Sequence, residues 1–184
     1  MTAANSDAQQ VLDFWFNELT PEQHFAVDPL LDETICARFA PLRETLFATD
    51  AEGWQGDGNT LLAAIIVLDQ FSRNIFRNSA EAFAADPLAL NLSLAAISSG
   101  YHAELEAARR AFLYMPLMHC EDRGVQLFSA RCFSEPGLEH NLGFAKAHAD
   151  VIERFGRFPS RNQALGREST EAEMAFLSQS GSGW

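Results

Sequence analysis

LLAAIIVLDQFSRNIFR, residues 61–77, decides the fold of this chain. Its opening run, Leu61–Leu68, is apolar without interruption. A helix that is apolar on every side belongs in the middle of a protein. The run is too short to cross a bilayer, which takes about 20 residues. Polar side chains then arrive at helical spacing. Asp69, Arg73 and Arg77 fall four apart on one stripe, and Gln70 and Asn74 share the stripe beside it. A buried helix that ends in such a cluster reads in two ways. It is either a structural ion pair from Asp69 to Arg73, or the floor of a pocket with arginine as its anion fork.

Outward from this stretch the composition agrees. Ala and Leu supply 49 of the 184 residues, whereas Val and Ile supply 11. Unbranched residues lose little on entering a helix, and β-branched ones favour strands. No stretch alternates cleanly between apolar and polar residues, so the whole chain is expected to be helical. Ser6 with Gln9 fits a capping box ahead of Val11, Leu12, Phe14 and Trp15. Asp28-Pro29 opens a long helix that Pro41 should kink or break. Residues 53–58 form a loop, and Asn59 or Thr60 caps the central helix. Asn78 with Glu81 starts the next helix, and Asp86-Pro87 starts another that ends at Gly100. Helices follow over 101–114, 117–133 and 138–155, then a loop over 156–167, then a final helix capped by Thr170 with Glu173. The sum is about eight to ten helices in an antiparallel all-α array. No composition shift marks a linker, so residues 1–184 read as a single domain.

Thirteen Lys and Arg against 25 Asp and Glu leave a net charge of −12. Nucleic acids and anionic membranes both attract basic surfaces, so neither is an expected partner. The opening MTAANSDAQQ lacks the basic and apolar regions of a signal peptide. Cys36, Cys120 and Cys132 cannot all pair within one chain, and they read as reduced thiols of a cytoplasmic protein.

Three further places carry possible chemistry. In PLMHCED, residues 116–122, a helix beginning at Pro116 puts His119 and Asp122 on one face, extended by Gln126. That pair suits a base with an orienting acid, but is too few ligands for a metal. His148 aligns with Phe144, Val151 and Phe155, so it points inward as a core residue or a functional one. Arg154, Arg157, Arg161 and Arg167 lie in a stretch without one acid, whereas residues 1–60 carry 11 acids against 2 bases. Arginine suits planar recognition of carboxylate or phosphate, and loops are where ligand contacts concentrate. The alternative is that these arginines neutralise the chain's own carboxylates. No nucleotide-binding, zinc or nucleophile-elbow signature occurs, so no cofactor and no metal is expected. A carboxylate at Asp69 is costly to bury unless it is paired. The arginine-rich loop is therefore expected to fold back on it. That would gather Asp69, Arg73, His119, Glu121 and one or more of Arg157, Arg161 and Arg167.

VLDFWF, LLAAIIVLDQFSRNIFR, AFAADPLAL, RAFLYMPLMHCED and AKAHADVIERFGRFPSRNQALGREST, followed by a short aromatic C-terminus, resemble the bacterial domain-of-unknown-function family 924. The motifs run in order from Val11 to Trp184, nearly the whole chain. The resemblance implies a tetratricopeptide-like helical fold and transfers no reaction. The family's recurring polar positions fall on Asp69, Gln70, Arg73, Asn74, Arg77, His119, Glu121, His148, Arg157, Arg161, Asn162 and Arg167. This chain departs from the pattern at Cys120, where the family usually has Ser, and at Ser160, where it commonly has His. An enzyme built on that histidine would lack it here.

Three functions compete. One is a cytoplasmic binding protein for a small anionic metabolite or an acidic peptide end, in a pocket lined by Arg and His. Another is a hydrolase or transferase using His119 or His148 with a carboxylate. The third is a protein-interaction adaptor with no small ligand. Convergence of Asp69, Arg73, His119, His148 and Arg161 favours the first two; scatter into separate ion pairs favours the third.

Overall fold

The computed structural model describes residues 3–179, whose regular structure is all helical, with no strand among the described residues. Trp184, in the aromatic C-terminus, lies outside the described residues. The α-helices are α1 (Ala3–Asp13), α2 (Pro29–Ala48), α3 (Gly58–Ile65), α4 (Ser72–Ile75), α5 (Glu81–Ala84), α6 (Asp86–Ser98), α7 (Ala107–Met118), α8 (Arg123–Cys132), α9 (Glu139–Phe155) and α10 (Glu171–Gln179). One π-helical turn, Phe14–Glu18, extends α1, and another, Ile66–Phe71, joins α3 to α4.

The apolar run is the centre of the molecule, as its all-round pattern predicts. Every residue from Thr60 to Ser72 is buried. Helix α3 packs against α1, α6 and α7, and the π turn against α2, α6 and α7. Phe71 closes the turn against the rings of Phe39 (4.8 Å), Trp15 (5.4 Å) and Phe14 (5.9 Å). Each fully buried Leu or Ile here contributes roughly 1.5–3 kcal/mol. Helices α6, α7, α8 and α9 each pack on the next in order. A satellite cluster of Val151, Ile152 and Phe158, with Phe155 and Phe176, sits beneath the arginine-rich loop and α10.

Several boundaries differ from the sequence expectation. Helix α1 already runs from Ala3, so Ser6 lies inside it and caps nothing. Asp57, not Asn59 or Thr60, caps α3. Its carboxylate accepts the amides of Asn59 (2.9 Å) and Thr60 (3.0 Å), two donors that the helix itself leaves orphaned. Asn78 adopts a left-handed backbone (φ 65°), so the next helix begins later, at Glu81. Pro41 leaves α2 unbroken to Ala48, because burial of Leu31, Ile35, Phe39 and Leu46 along its length outweighs the ~3 kcal/mol an internal proline costs.

The difference that matters most lies between residues 101 and 133. Tyr101–Glu104 is a 3-10 turn, and α7 begins at Ala107 and passes through Pro116 to Met118. The helix expected over 117–133 is split, and α8 starts only at Arg123, capped by Asp122 through the Val125 amide (2.9 Å). Gln126 and Arg161 hold the split open. Gln126 Nε2 donates to the carbonyls of Met118 (2.7 Å) and Cys120 (2.7 Å), and Arg161 donates to that of His119 (2.9 Å). These side chains replace the backbone donors that a continuous helix would supply. His119 and Glu121 therefore sit on a turn, and Asp122 is a helix cap rather than a partner of His119.

Candidate functional site

The site is built on the π turn at the end of the central helix. Such turns are rare and recur at functional sites. Asp69 lies on it, fully buried. Its Oδ1 accepts from His119 Nδ1 (2.8 Å) and lies 3.2 Å from Arg73, and its Oδ2 accepts from Gln70. Burial alone would raise the Asp69 pKa, but the charge of Arg73 and the His119 contact override it and hold the group well below the usual carboxylate range. Asp69 is thus ionised, and Nδ1–H of His119 donates to it. Burial pulls His119 below its ordinary pKa; Asp69 opposes this and Arg73 adds to it. The imidazole is therefore neutral and carries its lone pair on Nε2. Among the described residues none is hydrogen-bonded to Nε2, and the side chain keeps 15% of its exposure.

Two arginines meet beside this pair. Arg73 binds both oxygens of Asp86 (3.0 and 3.2 Å) and also donates to the Asp69 carbonyl. Arg161, from the loop, binds the same Asp86 carboxylate (3.0 Å). Its guanidinium lies 4.7 Å from the centroids of both Phe83 and Phe158. Burial and repulsion from Arg73 lower Arg161 from its usual value. Glu121 is clasped by Arg167 (2.7 and 3.0 Å) and accepts the Phe158 amide (2.8 Å), which ties the loop to the turn. His148 is buried, as its helical facing predicts, and its Nδ1–H donates to the Phe144 carbonyl (2.8 Å). Its ring is 6.2 Å from that of His119, and burial pushes its pKa down to about 4.

The loop therefore folds back as expected: Asp69, Gln70, Arg73, His119 and Arg161 form one network, the Glu121–Arg167 pair adjoins it through Phe158, and His148 lies against it. Asn162 is buried inside the loop, where it donates to Ser169 (3.1 Å). Three expected residues lie elsewhere. Asn74 (2.8 Å) and Arg77 (2.6 and 2.7 Å) both bind Asp32 on α2. They follow Asp69 and Arg73 closely, Asn74 on α4 and Arg77 in the turn just beyond it, but they meet a different neighbour. Arg157 binds Glu173 (2.7 and 2.8 Å) and the Glu168 carbonyl, and so anchors α10. Thr170 and Glu173 form the expected capping box there.

Asp86 is the member that sequence reasoning missed. It was legible only as a helix opener before Pro87, and nothing local says that Arg73 and Arg161 share it. With Asp86 included, Arg73, Arg161 and Arg167 face Asp69, Asp86 and Glu121, so the charges balance. The Cys120 thiol beside His119 is pushed up by burial, which disfavours the thiolate a nucleophile needs. Among the described residues no three metal-ligating side chains are grouped to hold an ion. A cleft of about 310 Å³ lined by Asp7, Gln10, Arg38, Phe39 and Leu42 lies apart from the network.

The profile of a bacterial protein family of unknown function, DUF924, matches residues 11–181. The chain belongs to this family. The DUF924 chain is also similar to the solved structure of the protein of unknown function ATU0120 from Agrobacterium tumefaciens, at 33% identity and a TM-score of 0.90. That match covers 96% of this chain and 99% of the other. No curated protein matches.

Proposed function

We propose that this DUF924 chain binds a small anionic metabolite, or an acidic peptide end, at the polar mouth of its central helix. The observation that carries this reading is the approach of Arg73 and Arg161 to one carboxylate from two sides. Planar guanidinium forks of this kind suit carboxylate or phosphate. The exposed edge of His119 adds a hydrogen-bond acceptor beside them. In this reading the tetratricopeptide-like stack of helices is a cytoplasmic scaffold for the fork. An adaptor with no small ligand gains less, because the polar side chains converge rather than scatter.

A thermal-shift screen of carboxylates and phosphorylated metabolites tests the proposal. A ligand at roughly 100-fold its dissociation constant adds about 2.7 kcal/mol. The response should appear in the wild-type chain and vanish in Arg161→Gln, with the helical circular dichroism retained. A response that survives in Arg161→Gln sinks the proposed site.

The Asp69–His119 pair favours a second reading, an acid–base enzyme. A neutral imidazole oriented by a buried carboxylate is a general base for a water, in a hydrolase, or for a hydroxyl, in a transferase. Turnover of any ester or phosphoester that is lost in His119→Gln would support it.

A further inference from the structure

Asp86 occupies the place that a bound anion would need. This inference rests on the anion-binding reading and goes beyond it, to the chemical class of the ligand and the group it displaces. Within the network the carboxylates differ. Asp69 has no exposure and is held by three side chains, whereas the Asp86 side chain is 17% exposed and, among the described residues, its carboxylate is bound by Arg73 and Arg161 alone. The fork does not depend on Asp86 for its position. Arg73 is also held by the carboxylate and carbonyl of Asp69. Arg161 is also held by the His119 carbonyl and the rings of Phe83 and Phe158. If the Asp86 carboxylate turned out to solvent, two oriented guanidiniums would remain beside His119.

We propose that Asp86 is an internal stand-in for ligand, and that the ligand is a small 2-hydroxycarboxylic acid. Its carboxylate would take the Arg73–Arg161 fork as Asp86 turns away, and its hydroxyl would donate to His119 Nε2. Both terminal nitrogens of Arg73 engage the two oxygens of Asp86 end-on, and a ligand carboxylate would replace that resident carboxylate oxygen for oxygen. The hydroxyl is required because Nε2 of the neutral imidazole accepts and does not donate. The Asp86 carboxylate is already oriented in the fork, so a ligand must displace it and the wild-type chain should bind weakly.

Thermal unfolding of the full chain tests this at constant ionic strength with sodium glycolate, sodium acetate and inorganic phosphate as probes. In Asp86→Asn the glycolate concentration for half the maximal shift should fall about tenfold from wild type, equivalent to about 1.4 kcal/mol of internal competition removed. Glycolate should act at lower concentration than acetate, and that advantage should disappear in His119→Ala. If wild type responds but Asp86→Asn responds no more strongly, displacement is overturned while the anion site stands. If phosphate acts at lower concentration than glycolate, the carboxylate assignment is overturned. If no probe shifts either protein, both the inference and the reading beneath it fall. Should Asp86→Asn not fold, a crystal structure of wild type in saturating glycolate decides. It should place the glycolate carboxylate between Arg73 and Arg161 with Asp86 turned outward; Asp86 still in the fork would overturn the proposal.

Discussion

At Asp69, three side-chain donors meet one carboxylate that has no contact with solvent. The local pattern predicts part of this, since Arg73 lies one helical turn away. His119, fifty residues on, comes only from packing. Asp69→Asn should lower stability by about 3 kcal/mol, because buried Arg73 keeps only Asp86 as a charge partner and His119 Nδ1–H loses its anionic acceptor. Urea unfolding measures it, and a loss below about 1 kcal/mol, the scale of an exposed pair, would show that the pair contributes no more than a surface one. His148 gives a prediction about pH. Its folded pKa, about 4, lies below the ordinary 6.5, so the unfolded chain takes up a proton first as pH falls. Stability from this group is intact above pH 6.5, declines between 6.5 and 4, and loses nothing more below. The loss is of order 3 kcal/mol, at about 1.4 kcal/mol per pKa unit. His148→Phe should flatten that decline; an unchanged slope would mean that His148 is not held neutral.

Helices were legible as elements, and their ends were not. The apolar run, the Asp28-Pro29 start and the Thr170–Glu173 box are local signals, and the structure keeps all three. The break over 119–122 is not local. It exists because Gln126 and Arg161, from elements on either side, take the carbonyls that a continuous helix would have bonded. Pro116 is tolerated in α7 since the last turn is buried around it. Replacing Gln126 with Leu should orphan the Met118 and Cys120 carbonyls, at about 1–3 kcal/mol each. Amide exchange over residues 119–122 should speed up with it. Unaltered exchange there would mean that the turn has another support. Asp57→Ala should cost about 1 kcal/mol as a lost cap, read by the same unfolding experiment.

Across the whole molecule, acid composition and arginine usage meet in one arrangement. Twelve of the thirteen basic residues are arginine, Lys146 being the exception. Arginine keeps its charge and its fork when buried, which a network of shared carboxylates requires. Opposing effects set the arginine-bound carboxylates, inside that network and outside it. For both Asp32 and Glu121 burial raises the pKa, and their hydrogen-bond partners, Arg77 with Asn74 for Asp32 and Arg167 with the Phe158 amide for Glu121, together more than reverse it. A depressed carboxylate contributes stability above its unfolded pKa, 3.8 for Asp and 4.5 for Glu, and loses it as pH falls through the folded value. The melting temperature should therefore drop in two stages, the first below pH 6.5 from His148 together with His119 and His24, which burial also lowers, and the second below 4.5 from the carboxylates. A single drop confined below pH 4.5 would contradict the histidine stage.

The sequence by itself determined the all-α class, the burial of Leu61–Leu68 and the inward facing of His148. Each follows from spacing along one helix, and helical geometry is the same wherever the helix lies. Only the tertiary structure decided which charges meet. Arg161 reaches Asp86 across 75 residues and Arg167 reaches Glu121 across 46, while Arg77, two turns from Asp69, turns to Asp32 instead. Such pairings depend on how helices pack and on which carboxylate the fold leaves nearest each guanidinium. Coulomb attraction has no register along the chain, so spacing alone does not encode it.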